Sequence, residues 1–142
     1  MDNWKIEATK HTPDVYFDAN NNVLELKGES YPENIAEFSA PIFSWLEEYL
    51  EQLKDTAFVV NIELTYFNSS SSKMLLDLFD RLEEEVAENG KNITVNWIYD
   101  ADNDSAEEYG EEFQEDLESL TFNLVQKDEW MNTFYVCSAP FW

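Results

Sequence analysis

The chain has 142 residues, a length that suits one domain with an ordinary core. Hydrophobic residues make up 44% and aromatics 15%, which argues against a disordered chain, yet 31 acidic side chains face 8 basic ones for a net charge of −23. Such a surface repels polyanions, so nucleic acid and anionic membrane are poor partners and a protein with a basic patch is the natural one.

Cys137 is the only cysteine, so there is no internal disulfide and no cysteine-based zinc site. Met1-Asp2-Asn3-Trp4-Lys5 lacks the apolar run of a signal peptide, and no apolar stretch has the length of a membrane span. The expectation is a cytoplasmic protein, soluble and monomeric when free.

Ile6 to Thr9 and Val15 to Asp18 read as short strands, and Asn20-Asn21-Asn22 as a turn, because asparagine tolerates left-handed backbone. Val23 to Gly28 then closes a hairpin. Ile35, Phe38, Ile42, Trp45, Leu46, Tyr49 and Leu53 recur at helical spacing. Pro41 interrupts that pattern. Either the helix starts near Ser39 with Pro41 in its first turn, or it kinks there.

Ala57 to Phe67 is a strand with Phe58, Val60, Ile62, Leu64 and Tyr66 on one face and Asn61, Glu63 and Thr65 on the other. Ile93 to Tyr99 repeats the alternation. A polar face on both strands predicts helices over one side of the sheet and a more open second side. Met74, Leu75, Leu78, Phe79, Leu82 and Val86 make a helical stripe that Gly90 ends. A third helix is expected over 105–117 and a last strand over 122–125. The order β-β-β-α-β-α-β-α-β implies parallel neighbours joined by right-handed crossovers. Residues 1–125 form the domain. The aromatic-rich extension 126–142 is expected to pack on it.

Catalytic signals are sparse. His11, the only histidine, has no nucleophile at triad spacing, and Cys137 has no basic neighbour to activate it. With three glycines there is no phosphate-cradling loop, and no cofactor is expected. The clusters Glu83-Glu84-Glu85, Glu107-Glu108, Glu111-Glu112 and Glu115-Asp116 read as solvated helix faces. No metal site is expected, since Asp100-Ala101-Asp102-Asn103-Asp104 only faintly follows a calcium loop. A carboxylate-based, metal-dependent hydrolase is the competing class.

The sharpest feature is Asn68-Ser69-Ser70-Ser71-Ser72, where the strand pattern stops and the helical one begins. Ser70 or Ser71 at the N-cap would contribute roughly 1 kcal/mol. A phosphate would also suit this position, because free N–H groups and the helix dipole favour anions. Chemistry alone does not choose among the serines.

Strand, serine, helix on a sheet covered mainly on one face resembles the STAS domain of anti-sigma-factor antagonists. The finer resemblance is to the SiaC family of regulatory phosphoproteins, an α/β, STAS-like fold with a mixed sheet. It is carried by Gly28-Glu29-Ser30-Tyr31-Pro32-Glu33-Asn34 and Tyr66-Phe67-Asn68-Ser69-Ser70-Ser71. It continues through Asp77, Leu82-Glu83-Glu84, Trp97-Ile98-Tyr99-Asp100 and Glu111 to Asp116, and runs from about Thr12 to Val125. Pro41 and the segment after Val125 depart from the family pattern.

The resemblance implies a non-enzymatic switch with Ser69 as phosphoacceptor. Asn68, Ser70, Ser71, Tyr31, Glu33 and Asn34 would form the partner-binding surface. A dedicated kinase would phosphorylate Ser69 and a PP2C-type phosphatase would reverse it. The unphosphorylated form would bind and activate a diguanylate cyclase, which ties the protein to cyclic-di-GMP and biofilm regulation. An anti-sigma factor is the alternative partner.

Overall fold

The computed structural model describes residues 2–127. Six strands and three helices follow one another as expected: β1 Trp4–Ile6, β2 Asp14–Asp18, β3 Val23–Ser30, α1 Ile35–Gln52, β4 Phe58–Phe67, α2 Ser69–Asn89, β5 Ile93–Asp100, α3 Asp104–Glu115 and β6 Thr121–Lys127. The first strand lies nearer the N-terminus than Ile6 to Thr9, and β6 runs on through Lys127. Residues 126 and 127 of the expected extension thus belong to β6, and the rest of it, with Cys137, lies outside the described residues.

The six strands lie side by side in sequence order. β1, β2 and β3 pair antiparallel, and β3 through β6 pair parallel. Asn22 makes the β2–β3 turn with φ 60°, the left-handed backbone its side chain tolerates. Three successive right-handed crossovers advancing in one direction put all three helices on the same face. Their buried residues merge there with Val15, Phe17, Leu24, Leu26, Phe58, Val60, Ile62, Val95 and Trp97 into one core.

Pro41 falls inside α1, which begins at Ile35 under an Asn34 cap rather than near Ser39. Pro41 is exposed, so its missing N–H costs a helical bond but buries no orphaned group. α2 stops at Gly90, which takes φ 64° while its N–H bonds the Val86 carbonyl at 3.1 Å. Arg81 clamps α2 to α1 through two bonds to Glu47, at 2.6 and 2.9 Å. The Arg81 hydrogen bonds hold the Glu47 carboxyl below the usual carboxylate range.

The polar face is less open than its alternation predicts. Asn61, Glu63 and Asn96 are all buried. Register aligns Asn61, Asn96 and Asn123 across three strands. Asn123 Nδ2 donates to Asn96 Oδ1 at 3.1 Å, and Asn96 Nδ2 donates to Asn61 Oδ1 at 2.9 Å. Lys127 pairs with Glu63 beside this ladder. Polar groups survive burial on this face because they bond to one another.

Candidate functional site

Parallel strands all end at one edge of a sheet, and that edge is where α/β domains present their helix N-termini. Here each of the three helices starts under an asparagine. Asn34 Oδ1 accepts from the Glu37 N–H at 3.1 Å, Asn68 Oδ1 from Ser71 at 2.9 Å, and Asn103 Oδ1 from Ala106 at 3.1 Å. The expected serine cap of α2 is therefore replaced by Asn68. Its backbone is extended and its side chain reaches the third helical N–H, which leaves the serines as the first helical residues.

The four serines then separate by geometry. Ser69 and Ser70 are exposed at the first and second helical positions. Ser71 is fully buried. Its hydroxyl donates to the Ser30 carbonyl at 3.0 Å and lies 2.7 Å from Ser30 Oγ. The Asn68 N–H meets the same carbonyl at 3.1 Å. Ser30 ends β3, so these bonds lock the start of α2 to the end of the neighbouring strand.

The other expected partner-binding residues share this edge. Glu33 and Asn34 are exposed, while Tyr31 and Asn68 are half-buried. Ser71 is not available at the surface, because its hydroxyl is spent inside the fold. Tyr31 packs edge-on to His11 with ring centroids 5.0 Å apart, which makes the lone histidine a surface packing partner.

Tyr66 was expected to point into the core and does not. Gly28 of β3 pairs with Leu64, but Glu29 pairs with Tyr66, so Thr65 is an extra residue in β4. Gly28 has φ 128°, a backbone region that L side chains rarely adopt. The Asn103 side chain holds the bulged Thr65 carbonyl at 3.1 Å. One inserted residue exchanges the faces. Phe67 enters the core against Trp97, while Tyr66 is 54% exposed and packs edge-on to Tyr31 at 5.7 Å.

Tyr109 and Leu76 are also exposed large apolar residues, and neither was singled out from the sequence. Tyr66 and Tyr109 line a shallow cleft of about 180 Å³ with Thr65, Phe67 and Asn103. Leu76 follows Ser69 and Lys73 at helical spacing on the outer side of α2. Its position off the buried stripe was a readable signal of its exposure. The Tyr66 signal was hidden by the bulge.

The acidic clusters do other work. Glu83 accepts three backbone N–H groups, from Glu118, Ser119 and Leu120 at 2.6 to 2.9 Å, and so anchors the turn into β6. Burial pushes its carboxyl up, but these donors outweigh that and leave it below the usual range. Among the described residues no group of three or more His, Cys, Asp or Glu is placed to hold a metal ion. No described helix is long and apolar enough to cross a membrane.

A mixed sheet with helices on one face, and an exposed serine opening its central helix, defines a STAS-like α/β domain. The chain belongs to the SiaC family of regulatory phosphoproteins, whose model matches residues 6–127. Its role is therefore regulatory rather than catalytic. An uncharacterised protein of Pseudomonas aeruginosa (strain UCBPP-PA14) is 33% identical over 91% of this chain and all of its own length. The crystal structure of apo-SiaC from Pseudomonas aeruginosa superposes with TM-score 0.77 at 30% identity, covering 88% of this chain and 99% of that one. SiaC in its complex with the diguanylate cyclase SiaD, of which it is the activator, gives TM-score 0.81 at 32% identity, over 87% and 99% of the two chains.

Proposed function

We propose that this protein is a cytoplasmic partner switch, controlled by a phosphate on Ser69, whose unphosphorylated form activates a diguanylate cyclase. The observation that carries the reading is the contrast between Ser69, exposed at the first position of α2, and Ser71, sealed against Ser30. A kinase can reach the first and has no access to the second. Membership in a family of regulatory phosphoproteins supports the same reading, as does the likeness to a cyclase activator.

The mechanism is local. A phosphate on Ser69 sits among the first N–H groups of α2, which have no partner within the helix, and the helix dipole favours it. The helix therefore keeps its shape. What changes is the surface at the start of α2 around the exposed Ser69, where an uncharged hydroxyl acquires about two negative charges. A partner docked there meets a charge it must desolvate or repel. A dedicated kinase sets this state and a PP2C-type phosphatase resets it.

Calorimetry against a SiaD-type diguanylate cyclase tests the switch, with cyclase turnover as a second readout. Unphosphorylated protein and Ser69→Ala should bind alike. Purified phosphoprotein should bind at least about tenfold more weakly, the equivalent of ~1.4 kcal/mol. Equal binding by phosphorylated and unphosphorylated protein would sink the reading.

A further inference from the structure

Tyr66 and Tyr109 are two of the three large apolar side chains exposed among the described residues, and both line one cleft. One wall is Thr65, Tyr66 and Phe67 at the end of β4, and the other is Asn103, Ser105, Ala106 and Tyr109 at the start of α3. Asn103 ties the walls together. Its amide donates to the Thr65 carbonyl and its oxygen accepts from the Ala106 N–H, both at 3.1 Å. The rings are braced as well, Tyr66 edge-on by Tyr31 at 5.7 Å and Tyr109 by Phe67 at 4.9 Å. Braced rings have little freedom left to lose, so a partner meets a preformed aromatic surface. At about 180 Å³ the cleft is smaller than the ~300–1,000 Å³ of small-molecule sites, and it suits one side chain of a protein.

We infer that this cleft takes an arginine side chain of a different protein. Charge selects a cation. From Asn92 to Gln126 the chain has no lysine or arginine, and the exposed Asp102, Asp104 and Glu108 adjoin the cleft residues Asn103, Ser105 and Tyr109 along the chain. Tyrosine faces add to this field, since the ring quadrupole attracts a cation within about 6 Å of its centre. Shape selects the guanidinium, which is planar, weakly hydrated and stacks on aromatic faces, whereas an ammonium is compact and holds its water. A phosphate, a nucleic acid or an acidic peptide would meet repulsion. The chain does not supply the group itself. Its single arginine, Arg81, is held by Glu47 and Glu85, so neither an internal contact nor a second copy brings a free guanidinium to the cleft. The inference does not depend on the Ser69 switch.

The probe is acetyl-Gly-Arg-Gly-amide, titrated into the full-length, ¹⁵N-labelled chain at ~0.15 M salt, where screening confines the general acidic field to about 8 Å. Backbone amide shifts should centre on Phe67, Ser105, Ala106 and Tyr109. The matched citrulline peptide keeps the shape without the charge and should leave these signals in place. The lysine peptide should bind more weakly than the arginine one. Tyr66→Phe with Tyr109→Phe keeps both rings and should preserve binding. Tyr66→Leu with Tyr109→Leu removes them and should weaken binding at least about fivefold. Both side chains are exposed, so either pair leaves the core intact, which the dispersion of the amide spectrum checks. Absence of shifts at the cleft, shifts spread evenly over the acidic helix faces, an equal response to citrulline, or unchanged affinity in the leucine pair overturns the inference. Equal binding of the lysine peptide reduces the site to a point-charge contact and overturns the arginine assignment too.

Discussion

Ser71 and Ser30, forty-one positions apart, share a buried hydroxyl–hydroxyl bond of 2.7 Å, and Ser71 also donates to the Ser30 carbonyl at 3.0 Å. Each hydroxyl has one proton, so Ser30 donates to Ser71 while Ser71 donates to the carbonyl. Ser71→Ala removes both bonds and leaves the Ser30 hydroxyl buried without an acceptor. Chemical denaturation should show a loss of roughly 1–3 kcal/mol. Ser70→Ala, at an exposed position, should stay within about 0.5 kcal/mol.

Phosphorylation of Ser69 should not melt α2. A negative group in the first turn of a helix typically gains about 0.3–1 kcal/mol from the dipole and the free N–H groups. The thermal midpoint of the phosphoprotein should equal or exceed that of the unmodified protein. A drop of several degrees would mean that the switch works by unfolding the helix rather than by recharging its surface.

Gly110 seats α3 on the sheet. A Cβ there would lie 2.5 Å from Trp97 Cδ1 and 2.6 Å from Leu124 Cδ2. Trp97 cannot swing aside, because its indole N–H donates to the Ala106 carbonyl at 2.8 Å. Alanine offers about 1 kcal/mol of helix propensity over glycine, but forced overpacking typically costs about 1–3 kcal/mol. Gly110→Ala should therefore be net destabilising by urea titration, against the propensity trend.

The turn before β6 should be acid-sensitive through Glu83. Its folded-state carboxyl lies below the ordinary 4.5, burial being outweighed by three backbone donors. A depressed carboxyl stabilises the fold fully above its unfolded value, and that contribution fades as pH falls through the folded value. Wild type should thus exceed Glu83→Gln in thermal midpoint at neutral pH, and the gap should narrow on acidification below 4.5. A gap that widens in acid would contradict this sign.

Tyr66, three residues before Ser69, and Leu76, seven residues after it, are 54% and 38% exposed. Tyr66→Ala and Leu76→Ala should each change folding stability by about 0.5 kcal/mol or less. If they anchor the cyclase, at least one should weaken its binding by about 2 kcal/mol, as interface anchors do. Unchanged binding by the double variant would place the docking surface elsewhere on the domain.

The strands and helices could be read from the chain because alternation and helical spacing are local properties. Phe58, Val60 and Ile62 alternate into the core as their spacing predicts, and Gly90 stops α2 as its residue type predicts. The cap of α2 is not legible from residue type alone. Asparagine and serine compete closely for that position, and Asn68 won because its N–H also meets the Ser30 carbonyl.

By itself, then, the sequence determined nine elements in order, the family, and the stretch of hydroxyls at the start of the central helix. Only the tertiary structure decided which hydroxyl faces water, because the burial of Ser71 depends on the end of a strand forty-one residues away. It also decided that Tyr66 faces out and Phe67 in, since the extra Thr65 exists only in the pairing of β3 with β4. Side-chain periodicity is a property of one strand. Register is a property of two, and the face presented beside Ser69 was set by register.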